Sequence, residues 1–147
     1  MGAATVMMAA ALEPRIKAVW EESGYGRVDV VVRENMAKSG FPTIIIPGGV
    51  LWGYLIAGDR LWEINPVEIG PTLAANKQAI YIIHGDADDM VLYHHGVEIY
   101  DAFKAAGVDV TFWTLPGLGH VEGLAKVHDE YLKRLDEFFK AHLIGKT

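Results

Sequence analysis

The chain has 147 residues, enough for one domain with a sizeable core and too few for two. Hydrophobic residues make up 51% and charged ones 22%, a globular balance, and a net charge of −6 without a basic run argues against a nucleic-acid surface. There is no cysteine, which excludes disulfides, thiolate metal sites and a cysteine nucleophile within the chain, and no window reaches the roughly 18 consecutive apolar residues of a membrane span.

Residues 2–12 are rich in Ala, Met and Leu, strong helix formers, and are apolar nearly all round, so a buried helix is expected, stopped by Pro14. The same stretch lacks a basic leader and runs straight into Glu13-Pro14-Arg15, a poor signal peptide, so the cytoplasm is the default location unless a targeting segment lies upstream. Residues 16–20 read as a short strand closed by Glu21-Glu22-Ser23-Gly24. Apolar residues at 28, 31, 32 and 36 predict a helix over 28–37, ended by Ser39-Gly40. The next stretch is ambiguous: 44–46 reads as a strand, 52–56 as a helix over something apolar. Asn65-Pro66 opens a turn or short helix at 67–73. A strand at 78–84 follows, then an amphipathic helix over 93–106 with Val97, Tyr100 and Phe103 on one stripe and Gly107 as its cap. Residues 108–114 form the next strand. A last helix is expected over 121–142, with Leu124, Val127, Tyr131, Leu135 and Phe138 at 3–4 spacing. From residue 78 the order is β-α-β-α, with connections long enough for right-handed parallel crossovers. The fold class is α/β: a short, mostly parallel sheet of about three strands flanked by helices.

Two stretches carry chemistry. Tyr81-Ile82-Ile83-His84-Gly85-Asp86-Ala87-Asp88-Asp89 is a β-branched run that ends in a Gly and three carboxylates. That is the pattern of a buried parallel strand delivering polar side chains to the carboxyl edge of a sheet, where α/β proteins place their sites. The strand at 108–114 runs into Leu115-Pro116-Gly117-Leu118-Gly119-His120, again an apolar strand ending in a Gly-rich turn with one ionisable group. An acid after one strand and a His after the next can meet at one sheet edge.

These residues resemble the C-terminal part of an α/β-hydrolase, in the broad esterase, lipase and peptidase-like superfamily. His84-Gly85-x-x-Asp88-x-x-Val91 is similar to the motif after the family's seventh strand, which carries the triad acid. Gly119-His120 before a long terminal helix is similar to the site of the family's catalytic His. The two lie 32 positions apart, in the order acid then His that the family uses. The resemblance implies acyl transfer on a small-molecule ester or amide, with His120 as base and Asp88 as the group that orients it. Residues 27–75 then correspond to a lid-like or helical insertion in a single domain spanning 1–147. No cofactor is implied.

The family's nucleophile sits in Gly-x-Ser-x-Gly. Met1-Gly2-Ala3-Ala4 reads like the tail of that motif, which makes the Met1 backbone nitrogen the counterpart of an oxyanion donor and leaves the serine outside the chain. The expectation is a serine ester hydrolase retaining Asp88 and His120 and inactive alone; the alternative is a non-catalytic, self-associating α/β module. The only serines, Ser23 and Ser39, lie in no elbow-like context. Asp86 and Asp89 read as turn and cap residues, His84 as structural. Asp88 could cap the turn and His120 could be a surface residue. His94-His95 beside the three carboxylates invites a metal, but the spacing matches no standard zinc pattern and none is expected. Trp52, Tyr54 and Trp62 are read as core or cap packing before acyl-pocket lining. With the strand at 16–20 lacking a neighbour, a homodimer or higher oligomer is expected, two such strands pairing edge to edge.

Overall fold

The apolar runs bounded by turn formers become three parallel strands, β1 (Ala18–Glu22), β2 (Ala79–Gly85) and β3 (Asp109–Leu115), in the order β1-β2-β3. The computed structural model describes residues 1–58 and 63–144. In β2, Ala79 registers with Ala18 on one side and Asp109 on the other, so the carboxyl ends of β2 and β3 lie level. The helices, in chain order, are α1 (Gly2–Leu12), α2 (Val28–Lys38), α3 (Ile46–Ala57), α4 (Gly70–Ala75), α5 (His94–Ala105), α6 (Gly123–Lys126) and α7 (His128–Leu143). No described helix is long and apolar enough to cross a membrane.

Alternation along the strands sorts side chains into two layers. Val19, Ile80 and Ile82 face Met7 and Ala10 of α1, Leu73 of α4, and Ile99 and Phe103 of α5. Ala79, Tyr81, Ile83 and Leu115 face Tyr131 and Phe138 of α7. Every residue of β2 is buried, the condition in which a parallel strand is an unbroken hydrophobic run; each fully buried Ile is worth about 1.5–3 kcal/mol. On the α7 side Trp20 stacks on Tyr81 at 4.2 Å and donates its indole N–H to the Tyr131 hydroxyl at 2.8 Å. Gln78, fully buried, donates to the carbonyls of Ala10 (2.6 Å) and Ile16 (2.7 Å). It thereby satisfies a carbonyl from the last turn of α1 that has no partner within the helix and ties α1 to the start of the sheet.

Five expectations change. The first strand spans 18–22 and not 16–20, its end carried over Glu21 and Glu22 because both carboxyl groups find backbone donors. Glu21 accepts from the Gly24 N–H at 3.0 Å and Glu22 from the Gly123 N–H at 2.7 Å. α1 is buried along one face only, at Ala4, Met7 and Ala10; Val6 and Leu12 are exposed. Residues 44–46 are not a strand: Thr43–Ile45 is a 3-10 turn and Ile46 begins α3, with Pro47 in its first turn, where the missing N–H costs nothing. The last helix is broken at Val127 into α6 and α7. Trp52 and Tyr54 lie exposed on α3 and not in the core, and Trp62 falls outside the described residues.

Gly85 is where the fold meets the site. A Cβ there would fall on the Leu118 carbonyl oxygen, a backbone atom that cannot swing away. Gly85→Ala should therefore cost about 1–3 kcal/mol, the range for overpacking, and lower the urea midpoint; a midpoint equal to that of the parent chain would show that the two loops are not in close contact.

Candidate active site

The loops after β2 and β3 are stitched together by short-range polar contacts. The Asp86 N–H donates to the Leu115 carbonyl (3.2 Å), the Ala87 N–H to the Leu118 carbonyl (3.1 Å), and the Gly117 N–H to the Asp86 carboxylate (2.6 Å). Asp86 is thus a turn residue. Asp89 pairs with Lys38 at 2.7 Å on the surface.

Between these ties lies Asp88, whose side chain is fully buried. Its Oδ1 accepts the N–H groups of Met90 and Val91, both at 2.9 Å. Its Oδ2 lies 2.8 Å from His120 Nδ1. A carboxylate can only accept, so Nδ1 carries the proton and Nε2 is left as the basic nitrogen. Burial works against the Asp88 charge. The Val91 N–H, His120, the Met90 N–H and the Ser23 hydroxyl together outweigh it and hold the carboxyl below its ordinary range. His84 fixes the same loop from below: a carbonyl only accepts, so its Nε2–H donates to Val91 at 2.8 Å, and burial keeps the ring neutral by lowering its pKa.

Ser23 is the part that sequence reasoning missed. It follows β1 with φ +58° and is 4% exposed. Its N–H extends the ladder to the Ile83 carbonyl at 2.9 Å. Its hydroxyl accepts the Val121 N–H at 3.3 Å and lies near enough to Asp88 to help hold that carboxyl below its ordinary range. Val121, beside His120, is itself at φ +55°, a costly conformation for a β-branched residue. Two strained residues, joined to each other, bracket the acid–imidazole pair. A Ser-Gly step directly after a strand was the available signal. Ser39, the other serine, is exposed at the end of α2.

Beside His120 opens a cleft of ≈ 460 Å³ bordered by Met1, Glu21, Glu22, Ser23, Val121 and Tyr131. Met1 stands at the amino end of α1, where the helix dipole is positive. The structure thus places Asp88 and His120 in contact and Met1 and His120 on one cleft. The His94-His95 pair meets none of the three carboxylates after β2; the group facing it is Glu34 of α2.

A parallel sheet covered by helices on both faces, with an acid and a His on adjacent loops at its carboxyl edge, defines the chain as α/β-hydrolase in fold. The Pyrococcus horikoshii acylaminoacyl peptidase overlays 99% of this chain with 23% of its own, at a TM-score of 0.73 and 15% identity. More particularly, the model of the prolyl oligopeptidase family matches residues 58–146, which hold both Asp88 and His120, and the chain belongs to that family. It is 39% identical over 79 residues to acyl-protein thioesterase 1 of Neurospora crassa, covering 51% of this chain and 32% of that one. It is 30% identical over 107 residues to carboxylesterase SOBER1 of Arabidopsis thaliana, covering 73% and 42%. The chain thus spans less than half the length of these relatives.

Glu21, on the cleft wall, has one carboxyl oxygen without a partner. Burial is the main reason its pKa is pushed up, with Glu22 adding to the rise and the Gly24 N–H opposing it; the result is about 8. The folded chain therefore keeps a proton that the unfolded chain loses near 4.5. Stability from this group is complete below that value and is lost as pH rises through 8. Glu21→Gln should flatten the decline between pH 5 and 8 and stabilise the chain at pH 8 by a few kcal/mol in order of magnitude. Urea titrations at the two pH values check this, and an unchanged slope would refute it.

Proposed function

We propose that this chain carries the acid–base half of a serine acyl-transfer site and serves a carboxylesterase-like hydrolase of small ester or thioester substrates. The observation that carries the reading is the 2.8 Å contact between buried Asp88 and His120, with His120 on the same cleft as Met1. In this reading His120 Nε2 takes the proton of a serine hydroxyl and returns it to the leaving group. Asp88 holds the Nδ1–H tautomer and stabilises the imidazolium. The Met1 backbone nitrogen, at the positive end of α1, is one donor to the developing oxyanion. The thioesterase and carboxylesterase relatives support an acyl ester or thioester as substrate class.

The nucleophile in this reading is a serine not among these 147 residues. The Ser23 hydroxyl is hydrogen-bonded to the Val121 N–H and not to His120, and Ser39 lies at the end of α2. A base with no hydroxyl to activate is a weak catalyst, so the chain by itself is inactive. A second reading, a self-associating non-catalytic module, is favoured by the edge position of β1 and by the exposed side of α1. A homodimer joined through β1 suits both readings.

A fluorophosphonate probe separates them. The 147-residue chain should stay unlabelled, whereas a version in which Gly-x-Ser is joined ahead of Met1 should label and hydrolyse a p-nitrophenyl or thioester substrate. Asp88→Asn should reduce that rate by about 10⁴-fold. Labelling of Ser23 in the present chain, or activity indifferent to His120→Ala, would overturn the assignment. Light scattering after size exclusion should give a dimer or larger; a monomer at micromolar concentration would remove the β1 pairing.

A further inference from the structure

Six positions past the acid, the first turn of α5 carries two adjacent histidines that the acyl-transfer reading leaves unused. Both face one carboxylate. His94 Nε2 is 2.7 Å from Glu34 Oε1, and His95 Nε2 is 2.9 Å from Glu34 Oε2. The two rings stack at 4.3 Å. The candidate ligand atoms of these three residues all lie within 4.8 Å of one another. Among the described residues this is the cluster of three or more His and acidic groups whose donors converge in this way.

We propose that Glu34, His94 and His95 form a binding site for one divalent transition-metal ion of the zinc class. Two imidazoles and one carboxylate are a donor set that zinc uses when it keeps a fourth position for water. Nitrogen donors select such ions over calcium and magnesium, which take oxygen. The burial is graded in the way that arrangement needs. His95 is fully buried, Glu34 is partly covered, and His94 is half exposed, so the ion would have a protein floor and an open mouth.

The scaffold is also held in place. Asn35, next to Glu34, donates to the Met90 carbonyl at 2.9 Å, and Lys38 donates to the Asp89 carbonyl at 2.7 Å. These bonds dock α2 on the loop that precedes α5, and little ordering remains for the metal to impose. Coordination at about 2.0–2.2 Å sets tetrahedral ligands roughly 3.4 Å apart, so donors that already lie within 4.8 Å of one another would rearrange by about an ångström. Binding the ion through Nε2 places each ring proton on Nδ1, which in His95 is a buried nitrogen without a protein partner. The positive end of α5 opposes a cation, but the Glu34 charge sits on the same spot. Bound metal would clamp α2 to α5 across the loop that holds Asp88.

The test uses the tag-free, metal-stripped 147-residue chain. Calorimetry with ZnCl2 should show one equivalent bound and none with CaCl2, and the melting temperature should rise with zinc. Glu34→Gln and His94→Ala, neither at a fully buried position, should each weaken binding at least about tenfold, the loss typical of even an outer-shell partner. His142→Ala, on the far side of the sheet, should not. If a variant fails to fold, nitrogen-15 spectra of the parent chain decide: zinc should move the Nε2 resonances of His94 and His95 and leave that of His128 in place. Absence of zinc uptake, uptake that survives both substitutions, or shifts centred on other histidines would overturn the site.

Discussion

Ile80, Ile82 and Ile83 have no contact with water. The strand that carries them must therefore find backbone partners on both edges and apolar layers on both faces. β1 and β3 meet the first requirement in parallel register; α1, α4 and α5 on one side and α7 on the other meet the second. Parallel pairing brings the carboxyl ends of β2 and β3 level. The loops leaving those ends then have no choice but to contact each other, and Gly85 lets them do so at backbone distance. The Asp88–His120 contact is a consequence of that register, not an independent feature.

A buried carboxylate at such an edge is costly unless its oxygens are engaged. Here two backbone N–H groups and an imidazole engage them, with the Ser23 hydroxyl nearby favouring the charge. Holding Ser23 and Val121 in left-handed conformations is part of that arrangement, and such strain persists only where the surroundings over-determine it. The nearby Glu21 follows the opposite course. Buried with fewer donors, it retains its proton instead of its charge. Two carboxyl groups at one sheet edge thus settle in different protonation states because one has enough donors and the other does not.

The far side of β1 and the outer side of α1 are finished less completely than the rest. β1 is an edge strand, and α1 shows Val6 and Leu12 to solvent. α3 and the turn before it expose Ile44, Trp52 and Ile56. The relatives are more than twice as long as the stretch they share with this chain.

Much was legible in the residues themselves. β2, β3 and α5 follow from local pattern, because a run buried on both faces and a stripe at helical spacing are written in the order of the side chains. Asp88 and His120 could be named because each ends an apolar strand. Other features depended on what lay across space. β1 extends over Glu21 and Glu22 only because donors reach them from Gly24 and Gly123, the latter some hundred positions away. Ser23 met Val121 beside the imidazole, and Glu34 rather than the nearer aspartates met the histidine pair, through contacts that no spacing announces. Sequence alone determined which segments must be buried and where polar groups must leave the sheet, since burial pattern and turn chemistry are local. Only the tertiary structure decided which polar groups share a proton, since that depends on how strands register and helices dock, and neither is encoded within a single segment.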